Sequence, residues 1–187
     1  MLQIDSLDIP DVRVIRPGRV NDARGFFSEV YNASVLRDVG IHAEFVQDNH
    51  SLSRQTGTIR GLHFQIPPYA QAKLLRVLRG SIFDVAVDIR RGSPSFGKHV
   101  SAIISATEWN QIYIPAGFAH GFCTLEAETE VLYKVTAYYS AAHDLGLRWD
   151  DPQLAIEWPA VAANPILSEK DRRQPRLAEL PDYFSNP

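Results

Sequence analysis

Apolar and polar residues alternate along much of the chain in short runs, the period of a half-buried strand. Residues 73–105, "KLLRVLRGSIFDVAVDIRRGSPSFGKHVSAIIS", hold one β-rich run before Arg79-Gly80 and one after it, and a third follows the Gly/Ser/Pro turn at 92–94. "NQIYIP" reads as a short strand ending at Pro115, and "EVLYKVTAYY" as a further strand. Short strands spaced by Gly- and Pro-containing turns predict a mainly β domain, a sandwich or jelly-roll barrel. Helical signals are brief. "NASVLRDVG" offers Asn32 as a cap and Gly40 as a stop, and the tail from about Leu167 has room for a short helix or two. No repeat, low-complexity linker or boundary divides the chain, so its 187 residues are expected to form one domain.

The same alternation assigns faces. In "RGLHFQ", residues 60–65, His63 shares a face with Gly61 and Gln65, while Leu62 and Phe64 take the other. Val131, Tyr133 and Val135 share a face, which points Tyr133 into the barrel. Lys73 lies with Leu75 and Val77, where a lysine either snorkels to solvent or lines a cavity mouth. Asp84 and Asp88 share a face with Ala86; a solvated face and a supporting contact to Arg60 or His63 are equal readings. Tyr113, Trp149 and Trp158 read as packing residues.

Composition narrows the function classes. With 45% hydrophobic and 22% charged residues, the chain is neither disordered nor fibrous. A net charge of −3 gives no general attraction to nucleic acid or anionic membranes, so an anionic ligand needs local Arg and Lys clusters. Cys123 is the only cysteine, which rules out an internal disulfide and a Cys-based zinc site. The N-terminal stretch lacks the pattern of a secretory leader and no apolar run reaches about 18 residues, so a cytoplasmic location is expected. The sequons at Asn32 and Asn49 then read as incidental.

"IPAGFAHGF", residues 114–122, has the Pro-x-Gly-x-x-His spacing of the second cupin motif, with His120 in the ligand position. The first motif is altered: Gln65 occupies the second histidine slot, and Lys73 takes the glutamate slot after a longer gap. A metal site of this kind needs neutral imidazoles and a carboxylate, and an ammonium repels the ion. No metal and no cofactor is therefore expected, and His63 is not expected to be a ligand.

Together "RGLHFQ", "AQAKLLRVLRG", "DVAVDIRRGSPSFG", "IPAGFAHGF", "YKVTAYYS", "WDDP" and "LSEKD" resemble the dTDP-4-dehydrorhamnose 3,5-epimerase family, from about Arg19 to Leu177. The resemblance implies a metal-independent cupin-type jelly roll. It implies His63 as general base, Tyr133 as general acid, Asp171 as the carboxylate that orients the base, and Lys73 near the substrate's keto oxygen. It further implies that Arg24, Phe27, Glu29, Gln47, Asn49, Arg60, His120, Tyr139 and Lys170 bind the nucleotide sugar. The partners it implies are a dTDP-4-keto-6-deoxy sugar and a second copy of the chain, with N-terminal segments reaching the partner's site. The chain departs from a common family form at Ala137, where "YKVTDYY" often carries an acid.

The implied chemistry suits these residue types. A keto group at carbon 4 acidifies the protons on carbons 3 and 5, and inversion removes a proton from one face and returns one to the other. A histidine is largely neutral at neutral pH and suits removal. Asp171 would fix its tautomer, Tyr133 would deliver the opposite proton, and Lys73 would stabilise the enolate oxygen. The rivals are a 3-only or 5-only epimerase, a metal-dependent cupin oxygenase, and a catalytically silent nucleotide-sugar binder. Gln65 with Lys73 argue against the second, and an acid/base set argues against the third.

Overall fold

The computed structural model describes residues 2–184. In chain order the elements are β1 (Gln3–Ser6), β2 (Arg13–Arg16), β3 (Val20–Asp22), β4 (Gly25–Phe27), α1 (Ala33–Asp38), β5 (Gln47–Ser53), β6 (Ile59–Gln65), β7 (Lys73–Arg79), β8 (Ser81–Asp88), β9 (His99–Ser105), β10 (Gln111–Ile114), β11 (Phe118–Thr124), β12 (Thr129–Val135), β13 (Asp144–Gly146) and α2 (Glu169–Arg172). They form an antiparallel six-stranded sheet, β1-β2-β10-β7-β12-β5, facing a five-stranded one, β13-β6-β11-β8-β9, with β3-β4 as a separate hairpin. This is the expected jelly roll.

Alternation explains why the sheets face each other. Leu75, Val77, Ile112, Ile114 and Val131 of the first sheet meet Ile82, Ala86, Val100, Ile104, Phe118 and Phe122 of the second in one buried core. The outer face of the five-stranded sheet, with Leu62, Phe64, Val85 and Val87, is covered by the C-terminal tail through Leu147, Leu154, Leu177 and Leu180. Ile15 and Leu74, on the outer face of the six-stranded sheet, pack against Leu36 of α1 and Ile41. The turn at Arg79-Gly80 does not make a hairpin; it carries the chain from one sheet to the other. Gly80 sits there at φ +80° with Thr129 pressed against it, so a side chain has neither the conformation nor the room.

Two departures from the sequence reading matter for function. The strand expected through Tyr139 ends at Val135, because side chains rather than a neighbouring strand bond the backbone beyond it. Both aspartates of β8 are fully buried, against the solvated reading. Asp88 accepts from Arg90, Ser93 and Ser95 and shapes the β8–β9 loop. Among the described residues no helix is long and apolar enough to cross a membrane.

Candidate active site

β6 and β11 form one wall of a cavity of about 430 Å³ between the sheets. Their pairing is interrupted: His63 lies opposite His120 and Arg60 opposite Phe122, so that two residues, Gly61 and Leu62, stand against one, Gly121. This bulge turns Arg60 and His63 to the same face, which strict alternation would have set on opposite faces. Glycines make it possible. A Cβ on Gly61, at φ +132°, would lie 2.5 Å from the Cα of Gly121.

His63 donates from Nε2 to Asp171 Oδ1 at 2.5 Å. Asp171 is 3% exposed. It is placed by α2, whose N-cap Ser168 accepts from the Asp171 backbone N–H. Burial alone would raise the pKa of this carboxyl. The hydrogen bond and charge of His63, with Ser168 and the Gly61 backbone, outweigh burial and hold it below the usual carboxylate range. The pair therefore holds a carboxylate against one ring nitrogen of His63.

A second pair stands beside the first. His120 donates from Nε2 to Asp84 Oδ2 at 2.8 Å, and Asp84 is 0% exposed. Burial lowers the His120 pKa against the pull of Asp84, and Lys73 and His63 push the same way as burial, so a neutral ring is favoured. Asp84 Oδ1 has no hydrogen-bond partner among the described residues. The sequence reading considered Asp84 as a support for Arg60 or His63; its partner is His120.

The opposite wall comes from the six-stranded sheet. Lys73 and Leu75 of β7 and Tyr133 of β12 line the same cavity as His63, His120 and Arg60. Lys73 does not snorkel away. Its Nζ is 3.4 Å from the His63 carbonyl oxygen, and burial lowers its pKa to about 8, with Asp144 and Asp84 partly opposing. Burial also raises the Tyr133 phenol pKa, partly opposed by Arg60, so the hydroxyl stays protonated at neutral pH. Arg60 is aimed by Ser53 Oγ and the Leu52 carbonyl, both 3.0 Å away.

An adjoining pocket of about 160 Å³ shares His63, Lys73 and Tyr133 with the first and adds Gln47, Asn49, Gln65, Tyr139 and Asp144. Gln47 donates to Asn49 Oδ1 at 2.8 Å and accepts from the Tyr139 N–H, so both amides are held on one face of β5. Lys170, next to Asp171 on α2, pairs with Asp144 at 2.6 Å, and the Tyr139 hydroxyl donates to the same carboxylate. The two adjoining pockets thus share a histidine, a lysine and a tyrosine, and the smaller one forms a polar anteroom.

The sequence pattern of the family described as dTDP-4-dehydrorhamnose 3,5-epimerase matches residues 6–179. A dTDP-4-dehydrorhamnose 3,5-epimerase of Sinorhizobium fredii is 54% identical over 98% of this chain and 93% of its own length. Among solved structures, the Bacillus anthracis enzyme with TDP and pyrophosphate bound superposes with a TM-score of 0.91 at 49% identity, covering 94% of this chain and 99% of that one. The Legionella pneumophila epimerase in complex with dTDP-4-keto-L-rhamnose gives 0.91 at 43% identity, covering 97% and 95%. The chain belongs to the dTDP-4-dehydrorhamnose 3,5-epimerase family. Its jelly roll is the cupin-like fold of that isomerase family.

Within this family fold, ten of the thirteen residues singled out from sequence gather around the two pockets: His63, Tyr133, Asp171, Lys73, Arg60, His120, Gln47, Asn49, Tyr139 and Lys170. Arg24, Phe27 and Glu29 do not. They lie on or just after the β3–β4 hairpin, with Arg24 paired to Asp22 and the Phe27 ring 73% exposed and so outside the core. Sequence reasoning missed the work of Asp84, Asp144, Ser53 and Ser168. Only Ser168 carried a signal, as a capping residue before "EKD". Among the described residues no group of three or more His, Cys, Asp or Glu is placed to hold a metal ion.

Proposed function

We propose that this chain inverts carbons 3 and 5 of dTDP-4-dehydro-6-deoxy-D-glucose to give dTDP-4-dehydro-L-rhamnose, with His63 as base and Tyr133 as acid. The observation that carries the reading is their placement on facing sheets across one cavity, with Asp171 behind the histidine. Inversion needs proton removal on one face of the ring and delivery on the other, and two opposed walls supply that. His63 takes the proton, and Asp171 stabilises the imidazolium that forms. Charge builds on the C4 oxygen of the enolate, and the Lys73 ammonium offsets it in a partly desolvated site. Tyr133 then protonates the opposite face. His120, kept neutral and held by Asp84, offers a ring for sugar contacts.

The remainder of the ligand follows the same logic. Arg60 presents a planar fork suited to phosphate oxygens. Gln47 and Asn49 offer amide edges to a pyrimidine, and Tyr139 offers an aromatic face. The exposed Arg24, Phe27 and Glu29 support a homodimer in which each hairpin completes the partner's site. Lys73, standing where a metal-binding cupin would carry a carboxylate, supports catalysis without a metal, and turnover should survive exhaustive chelation.

Incubating the 4-keto sugar nucleotide with the protein in deuterated water tests the proposal. Label at both carbon 3 and carbon 5, with the L-rhamno product, is the expected NMR result. Label at one centre alone would make the chain a mono-epimerase, and no label would remove the catalytic reading.

A further inference from the structure

Gln65 is two residues beyond His63 on β6 and is 4% exposed, yet its side chain bonds to backbone elsewhere rather than to the histidine. Its amide nitrogen donates to the Tyr69 carbonyl at 2.8 Å and to the Tyr138 carbonyl at 3.2 Å, and its oxygen accepts from the Ser140 N–H at 2.7 Å. Both donors and the acceptor are therefore used on backbone. Two further glutamines act on the same segment: Gln71 donates to the Ala137 carbonyl at 2.6 Å, and Gln47 accepts from the Tyr139 N–H at 3.2 Å. Residues 137–140 have no strand partner, so these amides do for the segment what a neighbouring strand would do. The segment carries Tyr138 and Tyr139, which are 65% and 61% exposed, and Tyr139 lines the anteroom.

We propose that Gln65 is a positioning residue for nucleotide binding: it ties the β6–β7 loop to the 137–140 segment and so holds Tyr139 in place before the ligand arrives. The inference rests on the reading of Tyr139 as a contact for the nucleotide base. It also explains the glutamine in the slot where metal-binding cupins carry histidine. An imidazole has two ring nitrogens and donates one N–H when neutral, and it cannot serve two carbonyls and an N–H at once. A primary amide does so at the required length. An unclamped segment must be ordered by the ligand itself, and that cost appears as weaker binding.

The test separates binding from chemistry. Gln65→Met keeps the chain length and removes all three hydrogen bonds. It should weaken dTDP binding, measured by calorimetry, by roughly tenfold, the scale of one base–aromatic stack. KM for the sugar nucleotide should rise in parallel, with kcat and deuterium exchange at saturating substrate within about twofold, because the His63, Lys73 and Tyr133 side chains are untouched. In a Tyr139→Ala background the same change should have little further effect, since the residue being positioned is gone. Should Gln65→Met fail to fold, Gln71→Leu, which loses only the Ala137 contact, carries the same comparison with a smaller shift. Unchanged dTDP affinity, or an equal effect with and without Tyr139, overturns the clamp while leaving the epimerase reading intact. Wild-type protein that binds no dTDP overturns both.

Discussion

The roles proposed for His63 and Tyr133 can be separated because the two residues stand on different sheets. Tyr133→Phe leaves the His63–Asp171 pair and Lys73 in place, so deprotonation should continue while return from the opposite face fails. Solvent label should then enter the substrate faster than product forms. His63→Ala should reduce exchange and inversion together, by about 10²–10⁴. A His63→Ala protein that exchanged substrate protons near the wild-type rate would remove the base role.

Lys73 makes a second prediction at the same scale, linking stability to activity. Its pKa falls from 10.5 to about 8 on folding, so the folded state disfavours the charged form. The cost is present in full below about pH 8 and disappears as pH rises towards 10.5, where both states are neutral. Lys73→Met should therefore stabilise the fold at pH 7, by up to about 3 kcal/mol, with the gain shrinking by pH 10. The same change should cost turnover about 10²–10³, the scale of one lost oxyanion donor. In the proposed mechanism the ammonium is the active form, so kcat/KM should decline above about pH 8, and Lys73→Arg should move that limb upwards. Denaturant midpoints and pH–rate profiles measure the two halves.

Elements differed in how far they could be read from sequence. β7, β8, β9, β10 and β12 showed their alternation because each has one face on the core and another of different polarity, and α1 showed its cap and its stop. β11 did not, since all seven of its residues are buried and its two faces do not differ in polarity. β13 is too short to have a period. The site followed the same division: side chains on alternating strands could be assigned to a face, whereas the His120–Asp84 contact needs the pairing of β11 with β8, which no local pattern encodes. The bulge in β6 is the most consequential hidden feature, because it alone brings Arg60 to the side of His63. Gly61→Ala tests it. The added methyl meets the Gly121 backbone at 2.5 Å and must accept a left-handed φ, so a loss of about 2–5 kcal/mol is expected in chemical denaturation. Gly57→Ala would also be costly, against the Val161 carbonyl, but it lies before the bulge. In folded fractions of each, only Gly61→Ala should misplace His63 and lower kcat.

At the scale of the whole molecule, one chain supplies the proposed acid and base, Lys73 and much of the polar anteroom, but leaves the β3–β4 hairpin reaching outward. Among the described residues Arg24 pairs only with its neighbour Asp22, at an exposed site where such a pair contributes little to stability. Phe26 packs edge-on against Trp109 of its own chain, but Phe27 is 73% exposed, and the stability of its own chain gives no reason for an apolar ring there. If it serves a second copy, a chain defective at His63 and a chain defective at Arg24 and Phe27 are complementary. The first supplies a sound hairpin to the sound cavity of the second. Each variant alone should be inactive, and a mixture refolded together should regain up to about a quarter of wild-type activity: half the dimers are mixed, and each holds one intact site of two. Titrating the ratio should give the greatest recovery at equal amounts. Hairpins that act within their own chain predict a different result, because no chain in the mixture then has both a sound cavity and a sound hairpin. Activity would stay at the level of the single variants at every ratio, and the shared-site dimer would have to be abandoned.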